Sequence, residues 1–216
     1  MSPTFRFIPA MYRAAVVDRI KTQTRRVITP QPLGVLLEPD SEGFRKIEEL
    51  TRNEDSLLSK ATYGPPGTVL PVVTTWAVNL TLDRFKPSEF SVMNHTHIWW
   101  NDGSPKPEWA GKSRPAMFFP KHLYPLARQA KVVSVKAERV QGISAADAIA
   151  EGITPLRGCW IDYFFPRGTF DSPVDSYRTL WDSINAERGK GALKGQYAWK
   201  RNPWVFATTF EVFTPL

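Results

Sequence analysis

With 216 residues, 42% of them hydrophobic and 23% charged, the chain has the length and balance of one well-packed domain with elaborated loops, or of two very small ones. Nineteen prolines argue against an all-helical bundle, and one cysteine, Cys159, excludes an internal disulfide and suits a reducing compartment. The net charge of +7 fits a polyanionic partner, nucleic acid first, or simply a surface with spare Lys and Arg, while the lack of an apolar run of ~18 residues or a signal-peptide core predicts a cytoplasmic protein without a membrane span.

In chain order, residues 9 to 20, "PAMYRAAVVDRI", predict a short helix: Pro9 suits the first turn, and Met11, Ala14, Ala15, Val17 and Ile20 can share an apolar face. Pro30 and Pro32 stop any regular element. Residues 38 to 62 are polar and charged and read as an insertion, with a helix around Phe44 to Leu50. The turn Tyr63-Gly-Pro-Pro-Gly67 leads into "TVLPVVTTWAV", one β-branched and aromatic strand in which Pro71 suits an edge or a bulge. From Asn79 to Gly111 the pattern dissolves into a second insertion of loop character.

Alternation over residues 130 to 143 predicts a half-buried strand, and Ser144-Ala-Ala-Asp147 opens a short helix that ends at Gly152. Ser172-Pro-Val-Asp175 starts the clearest helix, 173 to 186, with Val174, Tyr177, Leu180, Trp181 and Ile184 on one face. Residues 202 to 213 read as the last strand. The elements describe an α+β domain whose few strands curl into a small barrel with flanking helices and long loop insertions.

The chemistry concentrates in "DRIKTQTRRVI", residues 18 to 28. On a helical turn, Lys21 and Thr24 would share a face, and a desolvated lysine could act as base for the threonine hydroxyl. Arg25 and Arg26 offer planar forks for phosphate or carboxylate; the alternative is a solvated cationic turn after a helix C-terminus.

The order of segments resembles the ASCH domain family, in the variety common in tailed phages and prophages. The matching stretches are "KTQTRRVITPQP" (21 to 32), "YGPPGTVLPVVTTWA" (63 to 77) and "KSRPAMFFP" (112 to 120), then "VKAERVQGISAADAIAEGI" (135 to 153), "YRTLWDSIN" (177 to 185) and "NPWVFATTFEV" (202 to 212). They span nearly the whole chain, so the resemblance implies a single domain over 1 to 216, with insertions at about 38 to 62 and 79 to 111. It implies a PUA-like fold with a cleft for a nucleobase or nucleoside, no cofactor, and a phage-infected or lysogenic bacterial host.

Related family members look like amidohydrolases that deacylate N4-acetylcytidine; others have been viewed as RNA-binding modules or nucleases. The amidohydrolase Lys and Thr carry over to Lys21 and Thr24, but its Glu falls on Thr74, which cannot hold a charge or relay a proton near neutral pH. In the third segment Ser113, Ala116 and Phe118 depart from the family pattern, whereas Lys112, Arg114 and Pro115 keep it. The expectation is a basic cleft with catalysis reduced or absent. Lys21, Arg26 and Arg114 would leave surplus positive potential there, and the partner would be RNA, a nucleotide or a modified nucleoside. Lys21, Arg25, Arg26, Lys112 and Arg114 would meet anionic groups; Thr24, Thr74 and Thr75 would hydrogen-bond base or sugar; Trp76 would support or stack. The alternatives are an amidohydrolase or ribonuclease using Lys21 and Thr24, and a phage factor that binds a host defence protein.

His95 and His97, with His122 and Cys159 elsewhere, have no specific metal-ligand spacing, so no metal is expected. Trp99, Trp100 and Trp109 either stack on bases or cap the core under the second insertion, and Trp181 and Trp204 read as core. Asn202 either lines the cleft or forms a turn.

Overall fold

The computed structural model describes residues 3–29, 31, 61–90, 97–165, 168–189 and 194–214. The helix expected around residues 44 to 50, nearly all of the first insertion and His95 lie outside the described residues. The chain opens with strand β1 (Phe5–Arg6) and helix α1 (Pro9–Val16), which Pro9 starts as expected. The helix stops four residues short of the expected Ile20. Arg19 takes a left-handed φ of 57°, and the amides of Ile20 and Lys21 both turn back to the Ala14 carbonyl.

The basic stretch then forms strand β2 (Gln23–Val27), not a helical turn. It pairs antiparallel with β10 (Trp204–Phe213), placing Thr24 opposite Thr208 and Arg25 opposite Ala207. The expected strand after Gly67 divides in two. β3 (Val69–Val73) joins the main sheet, and β4 (Trp76–Ala77) pairs instead with β5 (Trp99–Trp100). Pro71 is tolerated in β3 because β1 pairs only with Val72 and Val73 and meets no residue at the proline.

Strand β6 (Arg128–Arg139) crosses the centre, completing an order β1-β3-β6-β10-β2 among the described residues. Its register against β10 shifts at Val133: Thr209 opposes Ser134, and Phe210 opposes Val132. Such an extra residue bends the strand, and the sheet curls into a half-barrel. Across the open side, Arg26 of β2 donates from Nη2 to the carbonyl oxygen of Arg6 in β1 at 3.1 Å. The result is α+β, with a curled five-stranded sheet and a few helices.

Helix α2 (Ala145–Ala150) keeps its expected cap: Ser144 Oγ accepts from the Asp147 amide, and the Asp147 carboxylate accepts from the Ser144 amide. Gly152 follows at φ 94°, where a Cβ would lie 3.1–3.2 Å from Met11, Ala14 and Lys21 side-chain atoms. A three-stranded ribbon follows: β7 (Pro155–Leu156), β8 (Cys159–Ile161) and β9 (Thr169–Phe170). Helix α3 (Pro173–Asn185) is capped by Ser172 and buries Tyr177, Leu180 and Trp181. Ile184, expected on that face, is exposed; Asn185 is buried instead and bonds the Trp181 carbonyl.

Two apolar clusters hold the fold. In the first, Phe5 stacks on Tyr63 at 4.1 Å and packs against Phe210, with α1, α2 and α3 covering the sheet. The second surrounds Trp76, which meets Phe90 and Phe119 edge-on. The second insertion therefore has defined packing: Phe90 belongs to this cluster, Leu82 and Ile98 pack against it, and Trp100 packs against both clusters. Asn202 forms a turn in the left-handed region, its side chain accepting from the Gln141 amide. No described helix is long and apolar enough to cross a membrane.

Candidate functional site

Strand geometry sends alternate side chains to opposite faces. Thr24 and Arg26 therefore share one face of β2 with Phe206 and Thr208 of β10, while Gln23 and Arg25 share the other with Ala207 and Thr209. The paired arginines cannot grip one phosphate together. Arg26 donates from Nε to the Tyr63 hydroxyl at 2.6 Å, and its guanidinium lies over the Tyr63 ring.

Arg25 is buried among carboxylates. Its Nε donates to Glu138 Oε1 at 2.7 Å, and Nη1 donates to Gln23 Oε1 at 2.6 Å and to Glu151 Oε1 at 3.2 Å. Nη2 stands 2.7 Å from Glu138 Oε1 and 3.4 Å from Asp147, close enough for ion pairing but aligned with neither as a hydrogen bond. The Asp147 carboxyl sits below its ordinary range: burial alone would raise it, but Ser144 and the Arg25 charge outweigh that.

Lys21 is 3% exposed. Its Nζ donates to the Gln23 carbonyl at 2.8 Å, to the Glu151 carbonyl at 2.6 Å and to Glu151 Oε2 at 2.8 Å. An ammonium has three protons, and all three are engaged. Burial pushes the Lys21 ammonium below its ordinary value, and Glu151 pulls in the opposite direction. Thr24, also buried, makes no hydrogen bond from its hydroxyl among the described residues.

This corrects the expected electrostatics. Thr74 brings no carboxylate, yet Lys21 is not left without one: Glu151, at the end of α2, supplies it. The surplus positive potential expected around Lys21 is cancelled locally by Glu151, Glu138 and Asp147.

The second group of predicted residues belongs to the Trp76 cluster. Arg114 forms an isolated bridge with Trp76, donates from Nη2 to Asp83 Oδ1 at 2.8 Å, and lies over the Trp76 and Phe90 rings. The backbone amide of Lys112 donates to Asp83 Oδ2 at 2.6 Å, while its side chain is exposed. Gly111 makes this approach possible, since a Cβ there would stand 2.2 Å from Asp83 Oδ2. Trp76 is fully buried, so it supports the fold and cannot stack on a ligand. Thr74 is fully buried with its hydroxyl unpartnered, and Thr75 is half-buried. Among the described residues, no hydrogen bond, ion pair or ring contact joins Lys112 or Arg114 to Lys21, Thr24, Arg25 or Arg26.

An open cleft lies elsewhere, between β1, the end of β3 and the segment 116 to 124. It has a volume of about 240 Å³. Arg6 and Lys121 bring positive charge to it, Phe118, Phe119 and Tyr124 bring rings, and its described lining contains no carboxylate. Phe118 is 61% exposed, whereas Phe119 is buried between Trp76 and Tyr124. Pro115 and Pro120 precede the two short 3-10 turns, Ala116–Phe118 and Lys121–Leu126, that build this wall.

Sequence reasoning reached the wall but not its charges. Residues 116 to 120 fall in the third family-like segment; Arg6, Lys121 and Tyr124 carry no motif. Glu138, Asp147 and Glu151 sat inside a quoted segment, but only the fold brings them to Lys21 and Arg25. Among the described residues no group of His, Cys, Asp and Glu gathers as a metal site, and His122 Nε2 lies 2.7 Å from the Phe90 carbonyl oxygen. Compared with known proteins, the chain matches no family model, no curated protein and no solved structure.

Proposed function

We propose that this chain is a nucleotide- or RNA-binding module of ASCH type, PUA-like in its curled sheet, in which catalysis is reduced or absent. The observation that carries the reading is the contrast between the open cleft and the buried dyad. The cleft's described lining offers Lys121 and exposed aromatic surface and includes no carboxylate, a combination suited to a base and its phosphate. Lys21 could activate Thr24 only by losing a proton, and its ammonium is engaged by three acceptors in a buried site. That arrangement favours binding over turnover.

The test is equilibrium binding of short RNAs and nucleotides over a salt series, with N4-acetylcytidine turnover measured alongside. Affinity is expected to fall with salt, and Lys121→Ala to reduce the logarithmic salt slope by about 0.7, the share of one phosphate contact on a single strand. Turnover that vanishes in Thr24→Ala would replace this reading with the amidohydrolase. Salt-insensitive or absent binding would remove it.

A further inference from the structure

We infer that the segment from Ser144 to Glu151, which carries helix α2, is a strap latched onto β2 by charge, and that acid releases it ahead of the rest of the fold and uncovers Lys21 and Arg25. The inference stands independently of the nucleotide-binding reading and adds a conformational device at the buried end of the basic stretch.

The strap is anchored at its two ends and has little apolar packing between them. Ile143 before it and Ile153 after it are buried in the first apolar cluster. Helix α2 itself has six residues and buries one side chain, Ala148, while Ile149 is 39% exposed. A helix so short has little stability of its own, and one alanine brings little apolar area to the interior. What holds it down is polar. Lys21 Nζ donates to the Glu151 carbonyl at 2.6 Å and to Glu151 Oε2 at 2.8 Å, and Arg25 Nη1 donates to Glu151 Oε1 at 3.2 Å. Arg25 Nη2 lies 3.4 Å from Asp147, and the Thr22 amide donates to the Ala150 carbonyl.

Such a latch works only while its carboxylates are ionised. The charged and titratable groups around it are Lys21, Arg25 and Arg26 from the basic stretch, Glu138 of β6 with Lys136 paired to it, Tyr177 of α3, and Asp147 and Glu151 of the strap. The Asp147 carboxyl is held below its ordinary value: burial works against this, and Ser144 and Arg25 outweigh it. Its share of the closure is therefore whole above the ordinary value of about 3.9 and is lost as pH falls through the lower folded value. Once Glu151, Glu138 and Asp147 are neutral, Lys21, Arg25 and Arg26 keep their charges with no anion between them, and their repulsion drives the strap outward. The central ladder is held otherwise, since β6 and β10 pair backbone to backbone from Gln129 to Arg139.

The experiment is amide hydrogen exchange on the full chain between about pH 7 and about pH 2.5, a range that spans carboxyl titration, read as protection relative to the unstructured chain. The amides of Thr22, Ala148 and Glu151, bonded to the carbonyls of Ala150, Ser144 and Asp147, report on the strap, and the β6–β10 amides report on the sheet. Strap amides are expected to lose protection as pH falls below about 4, while the ladder keeps its own. Glu151→Gln, which keeps the shape and removes the charge, is expected to lower strap protection at neutral pH by roughly tenfold, the ratio between a hydrogen bond to a charged partner and one to a neutral partner. Glu108→Gln, at an exposed carboxylate outside the network, is expected to leave it unchanged.

Strap amides that stay protected in acid, or that lose protection only together with the ladder, would overturn the inference, as would Glu151→Gln indistinguishable from the parent. Should Glu151→Gln fail to fold, the pH series on the parent chain decides by the first two outcomes alone.

Discussion

Residues 21 to 26 and residues 116 to 124 both bring cations to the molecule, and they use them in opposite ways. In the first stretch Lys21 and Arg25 are buried, and each meets a carboxylate more than a hundred residues away along the chain. In the second, Lys121 stands exposed beside exposed Phe118, in a cleft whose described lining has no acid. The denser cationic motif is thus the interior one, and the sparser one faces the solvent. A count of Lys and Arg measures potential only after the fold has assigned their partners.

The contrast can be broken most sharply at Glu151. Removing one member of a buried, hydrogen-bonded ion pair strands the other, so Glu151→Ala is expected to cost roughly 3–5 kcal/mol in urea unfolding. Lys121→Ala is expected to stay within about 0.5 kcal/mol of the parent, as at an ordinary surface site. Equal effects would erase the distinction between the two regions.

A smaller effect follows from Asp147, whose folded carboxyl lies below its unfolded value. Its contribution is present above the unfolded pKa of about 3.9 and is lost as pH falls through the lower folded value. Asp147→Asn should therefore destabilise the protein by about 1 kcal/mol at neutral pH, typical of a lost capping carboxylate, and the gap to the parent should close in strong acid. A gap independent of pH would remove Asp147 from the charge network.

The smallest effect, with opposite sign, belongs to Thr74. Its hydroxyl is buried without a partner, so the near-isosteric Thr74→Val should raise stability by up to about 1 kcal/mol. A loss of stability would show that the hydroxyl has a role that the described contacts do not reveal.

Legibility followed the range of the interactions. The caps at Ser144 and Ser172 are local and stood plainly in the sequence, because each bonds an amide two or three residues on. The strand β2 was hidden, since its pairing comes from β10, and the spacing of Lys21 and Thr24 fits a helical turn just as well. The division at Thr74 and Thr75 was hidden for the same reason: β4 is set by Trp99 and Trp100, inside a stretch that lacks any periodicity. The candidate cleft needed three distant segments to meet, and Arg6, alone near the chain start, has no spacing that announces it.

One arrangement has a meaning beyond the site. Lys21 donates to the carbonyl of Gln23 and Arg26 to the carbonyl of Arg6, and by strand alternation both oxygens point outward from the terminal strands of the sheet. Naked acceptors at such margins invite a neighbouring molecule to add its own chain to the ladder. Two side chains from the most basic stretch of the sequence each occupy one such acceptor, so part of a motif that looks built to attract polyanions is spent on the protein's own backbone.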